Sequence, residues 1–540
     1  MTGAVKRRLV ISGCWAASVW MLVGPRVLAG DVPPRVTIET GALSGTRFGP
    51  AAAETAFLGI PFAAPPTGAA RWRPPQAVKK WAGTRSAAAF APACPQMPSS
   101  WWPEMAGRER LETSEDCLYL NVWTTNSGGA SKQPVMVWIH GGGNVEGSSQ
   151  IPPLAPALTR RGVVVVSVEY RLGVFGFLAH PQLSLESPQH SSGNYGLLDQ
   201  IAALQWVKRN ISAFGGDPDG VTIFGESSGG EDVCHLMASP LAASLFQRAI
   251  LESGVCMDSV YPDRKTAEAL GTRLARALGI PTTAGAVAAL RALPAEKLLA
   301  GAHGLDGAEF GASVDGWVMP DQPATIFDRG GNARVAILAG SNANESTVFG
   351  KPSPLAVSNS WPNTIGKYRQ WLRSEFHEFA AEVFRAYPAA TDDAASAAFL
   401  RVQTDSQFGF GSYRIAQALA RQGWPAYLYY FTYRGKGPFA ALGAFHSEEL
   451  MFVADTYWKS WIPSQTDHNL ARVVGDYWTQ FARTGNPNGK DLPHWPAYDS
   501  LSGSCLELGE ERKQMQVPNR EGYAVFEHIL QVRLREAGGR

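Results

Sequence analysis

The chain has 540 residues, of which 45% are hydrophobic, and its 48 Lys and Arg balance 47 Asp and Glu to a net charge of +1. No basic stripe stands out, which argues against nucleic acid as a partner. The composition is that of an ordinary globular protein with enough apolar residues for a large core.

The N-terminal segment, 1–29, has the layout of a secretory signal peptide. A basic stretch at 6–8 precedes an apolar run at 9–23, and residues 27–29 offer a small-residue cleavage site. The run is too short for a comfortable membrane span, and no later segment reaches about 20 apolar residues, so we expect no membrane association. We predict an exported protein, periplasmic or secreted, and the pattern leaves the Sec and twin-arginine routes open.

The cysteines agree with export. Removing the leader leaves five of them: Cys94, Cys117, Cys234, Cys256 and Cys505. An oxidising compartment favours disulfides, and an odd count leaves at least one thiol free.

Apolar β-type runs alternate with helical patterns along the chain. We predict buried strands over 134–140, 162–170, 220–225, 248–254, 334–340 and 426–434. Helical spacing occupies 197–211 and 413–423. Strands separated by helices imply a mostly parallel sheet covered on both faces. The Ala- and Leu-rich stretch 262–328 is helix-like and is predicted to form part of a cap over the sheet edge.

The third predicted strand runs into the sequence Gly-Glu-Ser-Ser-Gly. A strand that enters Gly-x-Ser-x-Gly and leaves as a helix is a nucleophile elbow, whose turn tolerates no side chain two residues before or after the serine. Centred on Ser227, the flanks are Gly225 and Gly229, whereas a turn centred on Ser228 would make Glu226 clash. We therefore predict Ser227 as a nucleophile and the backbone N–H of Ser228 as an oxyanion donor. The alternative is a flexible Gly/Ser loop.

A glycine run follows the first predicted strand directly after His140. Glycine amides can approach a substrate carbonyl closely, so we predict Gly142 and Gly143 as further oxyanion donors. A dinucleotide loop would need a third glycine where Glu146 stands, and no phosphate-binding loop signature occurs. The histidines show no ligand spacing, so we predict neither a metal site nor a cofactor.

Long segments of the chain match one family in the same order. They are 57–75, 114–123, 193–207, 214–230 and 477–488. The chain thereby resembles the type-B carboxylesterase/lipase family, the cholinesterase-like branch of the α/β-hydrolases. The resemblance implies an α/β-hydrolase fold of the α/β class: a mostly parallel central sheet flanked by helices, with a helical cap region. It also implies that 30–540 forms a single catalytic domain.

The resemblance assigns the remaining members of a catalytic triad. The acid of the family lies in a G-x-N-x-x-E turn, which here supplies Glu345, and the base lies in "GAFHSEEL" as His446. The order Ser, Glu, His is that of α/β-hydrolases. Asp315 competes for the role of the acid and is better interpreted as a turn residue. His140 and His235 compete for the role of the base and are better interpreted as structural.

Other roles are also carried over by resemblance. The resemblance implies a Cys94–Cys117 disulfide and leaves open whether Cys234 pairs with Cys256, which would make Cys505 the free thiol.

Polar partners are implied in the same way. Arg71 should pair with Glu115, and Arg171 with Asp199. A buried polar shell that steadies the base is implied at Glu226, Ser253 and Glu449.

The predicted activity is that of a serine carboxylesterase acting on a small-molecule ester through an acyl-enzyme. A general short-chain or aryl esterase, a thioesterase or amidase with the same triad, and a non-catalytic binding protein are the alternatives. Asn144 and Ser228 depart from the family pattern, where an aromatic residue and alanine are usual, and would favour a polar or charged acyl group held by Arg or Lys. We expect activity to fall below about pH 6.5 as His446 protonates.

Overall fold

The strands of the protein are short except around the predicted elbow. The computed structural model describes residues 32–49, 53–99, 105, 111–127, 132–150, 154–281, 284–307, 309–349, 361–437 and 439–539, so the predicted signal peptide lies outside it. In chain order the described strands are β1 (Arg35–Ile38), β2 (Gly41–Ser44), β3 (Thr46–Phe48), β4 (Glu54–Pro61), β5 (Thr84–Ser86), β6 (Tyr119–Thr124), β7 (Gln133–Ile139), β8 (Val164–Val168), β9 (Gly216–Glu226), β10 (Arg248–Glu252), β11 (Ala336–Asn342), β12 (Ala426–Phe431), β13 (Ser504–Leu508) and β14 (Arg512–Gln516).

Eleven of these described strands form one sheet. Its order is β14-β13-β12-β11-β10-β9-β7-β8-β6-β4-β3, and a separate small sheet has the order β1-β2-β5. The central strands from β8 to β13 are parallel, whereas β14 at one end and β6, β4 and β3 at the other are antiparallel. The six predicted strands correspond to β7 through β12, and the mostly parallel sheet is confirmed.

Helices cover both faces of the large sheet. In chain order the described helices are α1 (Ala155–Arg160), α2 (Gly173–Phe177), α3 (Pro181–Glu186), α4 (Tyr195–Asn210), α5 (Ser228–Ala238), α6 (Arg264–Ala277), α7 (Ala286–Arg291), α8 (Ala295–His303), α9 (Pro323–Asp328), α10 (Ile365–Phe376), α11 (Ala380–Ala386), α12 (Asp392–Thr404), α13 (Phe410–Arg421), α14 (Glu449–Ala454), α15 (Gln465–Thr484) and α16 (Arg520–Gly538). Within them, no helix is long and apolar enough to cross a membrane.

Strand β7 illustrates why the sheet is buried on both sides. Val135, Val137 and Ile139 belong to one apolar core, and the intervening Met136 and Trp138 belong to another. Successive side chains of a strand point to opposite faces, so the two cores lie on opposite sides of the sheet. A strand packed on both faces reads as a continuous apolar run, which is why β7 through β12 were recognisable in the sequence.

The helix-like stretch 262–328 contains α6, α7, α8 and α9. These helices pack against α2, α3 and α5. Arg71 anchors this region, because its Nη1 donates to the backbone carbonyls of Leu290, Arg291 and Leu293. The same guanidinium pairs with Glu115 at 2.5 Å, as the family resemblance implies.

The implied Cys94–Cys117 bridge is present, and so is the Cys234–Cys256 bridge that the sequence left open. Cys505 is a buried free thiol. The chain from Pro34 onward forms one compact unit.

Candidate active site

The site lies where parallel strands end. Strands β7, β9 and β10 stop in register, because Gly225 pairs with Ile139 and Glu226 pairs with Glu252. In open α/β sheets the crevice outside the carboxyl ends of the strands is the usual place for a ligand. The predicted site residues follow the ends of these strands and of β11 and β12, so the topology brings them together from segments more than 300 residues apart.

Ser227 occupies the sharp turn between β9 and α5. Its backbone has φ 55° and ψ −130°, a strained conformation for a residue with a side chain. A Cβ on Gly225 would overlap the carbonyl of Gly229, and a Cβ on Gly229 would overlap the carbonyl of Ile139. The positions two residues before and after Ser227 therefore require glycine in the folded protein, as the elbow centred on Ser227 predicts.

His446 and Glu345 form a hydrogen-bonded pair. Nδ1 of His446 lies 2.7 Å from Oε2 of Glu345, and both residues are buried. Oε1 of Glu345 accepts the backbone N–H of Asn342 at 2.6 Å. A carboxylate only accepts hydrogen bonds, so Nδ1 carries a proton and donates it to Glu345.

Nε2 of His446 faces Glu226 rather than Ser227. It lies 3.2 Å from Oε1 of Glu226, which also accepts the hydroxyl of Ser447 at 2.6 Å. Within the described residues the hydroxyl of Ser227 makes no hydrogen bond, although Ser227 and His446 line the same cavity. Catalytic hydrogen bonds are often loose in ligand-free enzymes. Here the carboxyl of Glu226 competes with the serine for the imidazole.

Buried carboxyls set the proton affinity of the site. Burial by itself lowers the pKa of His446, but Glu226 and Glu345 outweigh burial and raise it to about 9. Burial and the neighbouring Glu226 raise the pKa of Glu449 to about 8. The expected midpoint of pH 6.5, which assumed an unperturbed histidine, is therefore too low.

The implied polar shell lies behind the imidazole. Ser253 donates to Oε1 of Glu449 at 3.1 Å, and Asn342 donates to its Oε2. Asn342 and Ser447 were missed as site residues, although Asn342 is the asparagine of the G-x-N-x-x-E motif and Ser447 follows the base directly.

The glycine loop packs directly against the nucleophile. A Cβ on Gly141 would overlap the backbone carbonyl of Glu226 and crowd Ser227. Gly142 and Gly143 have φ of 114° and 63°, in the region that favours glycine. Gly143 and Ser227 line the same cavities. The loop is close enough for its amides to face a carbonyl oxygen bound at Ser227.

Asn144 and Ser228, which depart from the family pattern, form hydrogen bonds within the protein. Asn144 is 5% exposed, and its side chain donates to Oδ1 of Asp232 at 3.0 Å. Its backbone N–H donates to the hydroxyl of Ser228 at 3.0 Å. Asn144 lines neither described cavity at Ser227, whereas Ser228 lines one of them, so the expectation of a polar acyl group stays a prediction for Ser228 only.

Two cavities, of about 370 and 380 Å³, meet at Ser227. The first contains the carboxyls of Glu231 and Asp258 among aromatic side chains. The second contains His446 and has a largely apolar lining that includes Trp138. The nucleophile thus stands between two spaces of different chemistry.

The competing residues have structural partners. Asp315 accepts the backbone N–H groups of Trp317 and Met319, both at 2.9 Å. Burial lowers the pKa of His140 to about 4, and its ring stacks on Tyr170. His235 is fully buried beside Asp232.

Arg171 and Asp199 form the second implied ion pair. Nε and Nη2 of Arg171 bind the carboxylate at 2.7 and 2.8 Å, and both side chains are buried. The pair lies outside both cavities and supports the fold.

Comparison with known proteins agrees with this geometry. The model of the Carboxylesterase family matches residues 32–526. Fumonisin B1 esterase from Sphingopyxis macrogoltabida is 36% identical over 90% of this chain and 87% of its own length. Carboxylesterase 1C from Rattus norvegicus is 36% identical over 88% and 89% of the two chains, and liver carboxylesterase from Sus scrofa is 36% identical over 92% and 93%. The chain therefore belongs to the carboxylesterase family, has the α/β-hydrolase fold, and is a carboxylic ester hydrolase.

Proposed function

We propose that Ser227, His446 and Glu345 hydrolyse a carboxylic ester through an acyl-enzyme. The observation that carries this proposal is the buried Glu345–His446 pair, which lines one cavity with a serine held in a strained elbow. Such a serine needs a base to remove its proton, and the base needs an acid to fix its tautomer.

The steps follow from these positions. The neutral form of His446 takes the proton of Ser227 as Oγ attacks the ester carbonyl, and Glu345 stabilises the imidazolium. The backbone N–H groups of Gly142, Gly143 and Ser228 stabilise the oxyanion. The imidazolium then protonates the departing alkoxide, and water hydrolyses the acyl-enzyme by the same route. No step calls for a cofactor.

The two cavities hold different parts of the substrate. The leaving oxygen must lie beside His446, which protonates it, so the alcohol occupies the cavity that His446 lines. The acyl group occupies the other cavity, against the aromatic faces of Trp371, Phe376 and Phe408. We call these the alcohol cavity and the acyl cavity.

The acyl cavity favours an uncharged acyl group. Among its described lining residues Arg533 is the only basic one, whereas Glu231, Asp258 and Glu375 are acidic. Burial raises the pKa of Glu231 and raises that of Asp258 well above its usual range. We therefore propose a general carboxylesterase for neutral esters with short-chain or aryl acyl groups.

The second candidate substrate is fumonisin B1, from which the enzyme would release tricarballylate. It is favoured by the 36% identity to a fumonisin B1 esterase. An acyl group with free carboxylates calls for Arg or Lys partners, and in the described part of the acyl cavity it would meet Arg533 beside three acidic side chains. We rank it below the neutral ester for this reason.

We further propose that the protein is exported as a single catalytic domain over 30–540, after removal of residues 1–29. The basic and apolar leader and the two disulfides support this. N-terminal sequencing of the mature protein tests it, because an N-terminus at residue 1 would contradict the proposed cleavage.

The catalytic assignment is tested by labelling and substitution. A fluorophosphonate should label the protein stoichiometrically at Ser227, and Ser227→Ala should remove turnover of a p-nitrophenyl ester without changing the circular dichroism spectrum. Full activity of the purified variant would refute the assignment. Values of kcat/KM for fumonisin B1, a neutral ester and the matching thioester and anilide then rank the substrate candidates.

A further inference from the structure

Asn144 is tethered at three points. Its backbone N–H donates to Oγ of Ser228 at 3.0 Å, its side-chain amide donates to Oδ1 of Asp232 at 3.0 Å, and its backbone carbonyl accepts the N–H of Gly173 at 2.6 Å. Asn144 follows the glycine loop directly and has a left-handed backbone with φ of 58°. The C-terminal end of the loop is therefore fixed.

Two of these tethers come from the helix that begins beside the nucleophile. Ser228 and Asp232 are four residues apart in α5, so they lie on one face of that helix. Asp232 is fully buried and is held in turn by Nε2 of Gln200 at 2.5 Å. The glycine loop is thus attached to the same rigid element that positions Ser227.

Tyr170 holds the N-terminal end of the loop. Its hydroxyl donates to the backbone carbonyl of His140 at 2.7 Å, and its ring stacks on that of His140 with the ring centroids 4.4 Å apart. Tyr170 is fully buried. Both ends of the segment that contains Gly142 and Gly143 are therefore fixed by buried side chains.

We propose that Asn144, Ser228, Asp232 and Tyr170 form an oxyanion clamp that holds the amides of the glycine loop at a fixed distance from Ser227. The clamp rests on the proposed role of Gly142 and Gly143 as oxyanion donors. Its members are positioning residues, since they act through the loop. Preorganised donors stabilise a transition state because they need not reorganise during the reaction.

The hydroxyl of Ser228 is the point to test. Ser228→Ala keeps the backbone N–H of residue 228 and leaves the buried N–H of Asn144 without its acceptor. Loss of one oxyanion donor typically lowers kcat by about 10²–10³, and displaced donors should lose part of that. We expect kcat to fall about tenfold with KM within about twofold, and the Ki of a trifluoromethyl ketone inhibitor to rise by the same factor as kcat falls.

Two further variants separate positioning from stability. Ser228→Thr restores the hydroxyl that accepts the N–H of Asn144, so we expect its kcat to lie well above that of Ser228→Ala. Ser191→Ala removes another buried serine hydroxyl, one bonded to Asp315 at 2.9 Å, and should lower the Tm without changing kcat.

Unchanged kcat and ketone Ki in Ser228→Ala would overturn the clamp, whatever happens to the Tm. If that variant does not fold, Asn144→Gly keeps the left-handed backbone and removes the amide bond to Asp232. It should lower kcat about threefold, and an unchanged kcat would overturn the proposal. Fluorophosphonate labelling of Ser227 in the wild type tests the nucleophile independently of these variants. A failure of the clamp can therefore be told apart from a failure of the nucleophile assignment.

Discussion

Glu226 provides the sharpest test of the electrostatics of this site. Its carboxyl lies 3.2 Å from Nε2 of His446 and stabilises the imidazolium form. An imidazolium cannot take the proton of Ser227, so kcat/KM should rise with pH and reach half its maximum near pH 9, the value to which the pKa of His446 is raised. Replacing the carboxylate with an amide of the same shape, Glu226→Gln, should move this midpoint to lower pH.

The size of the shift follows from the distance. Two unit charges 3.2 Å apart interact by about 5 kcal/mol at an effective dielectric constant of about 20, which corresponds to nearly 4 pH units. This is an upper limit, because burial raises the pKa of Glu226 itself and part of its charge is neutralised. Glu345 remains bonded to Nδ1 in the variant. We expect the midpoint to fall by at least about one unit.

The assay is kcat/KM from pH 5 to 10 on a p-nitrophenyl ester, since this ratio reports the ionisation of the free enzyme. Glu231→Gln is the matched control, because it removes a carboxyl of the acyl cavity that has no contact with His446. Its midpoint should equal that of the wild type. A midpoint in Glu226→Gln that stays in place or moves upward would refute the reasoning.

Three further predictions concern the rest of the molecule. Cys94→Ser should lower the free energy of unfolding by about 3 kcal/mol in a denaturant titration, because the disulfide joins residues 23 apart, whereas Cys505→Ala should cost less. Asp199→Ala should lower the free energy of unfolding by about 3–5 kcal/mol, because it leaves the buried Arg171 without its partner. A decrease of less than about 1 kcal/mol would contradict the buried pair. Asp258 lines the acyl cavity, so Asp258→Asn should change the ratio of kcat/KM between two esters that differ only in their acyl group. The ratio between two esters that differ only in their alcohol should stay the same. The reverse outcome would show that the acyl group and the alcohol occupy the opposite cavities.

The parallel core of the sheet could be predicted from the sequence, and its edges could not. Strands β7 to β12 are packed on both faces and therefore appear as apolar runs. Strands β3, β13 and β14 are short and partly exposed, with burial that follows no continuous apolar run. The hydrophobicity of a short segment identifies a strand that is buried on both faces, but it identifies a partly exposed edge strand much less well.

The proposed site residues came from one local steric rule and from the family resemblance. The elbow serine follows from a steric rule that involves four neighbouring residues, and the structure obeys it at Gly225 and Gly229. Glu345 and His446 came from motifs of the family that the chain resembles, and the fold brings them within 2.7 Å across 101 residues of sequence.

What the sequence by itself supplied is the proposed set of reacting groups, because each is marked by the turn or the family motif around it. The tertiary structure alone decided their proton affinities and the hydrogen bonds through which the implied polar shell supports them. The family resemblance implied that Glu226 belongs to the polar shell around His446, 220 positions away, but only the structure shows that its carboxyl lies 3.2 Å from Nε2 of the imidazole. Asn144 appeared to be a substrate contact until its partners Ser228 and Asp232 were known. Charge and hydrogen bonding act through space, so their effects depend on neighbours that only folding supplies.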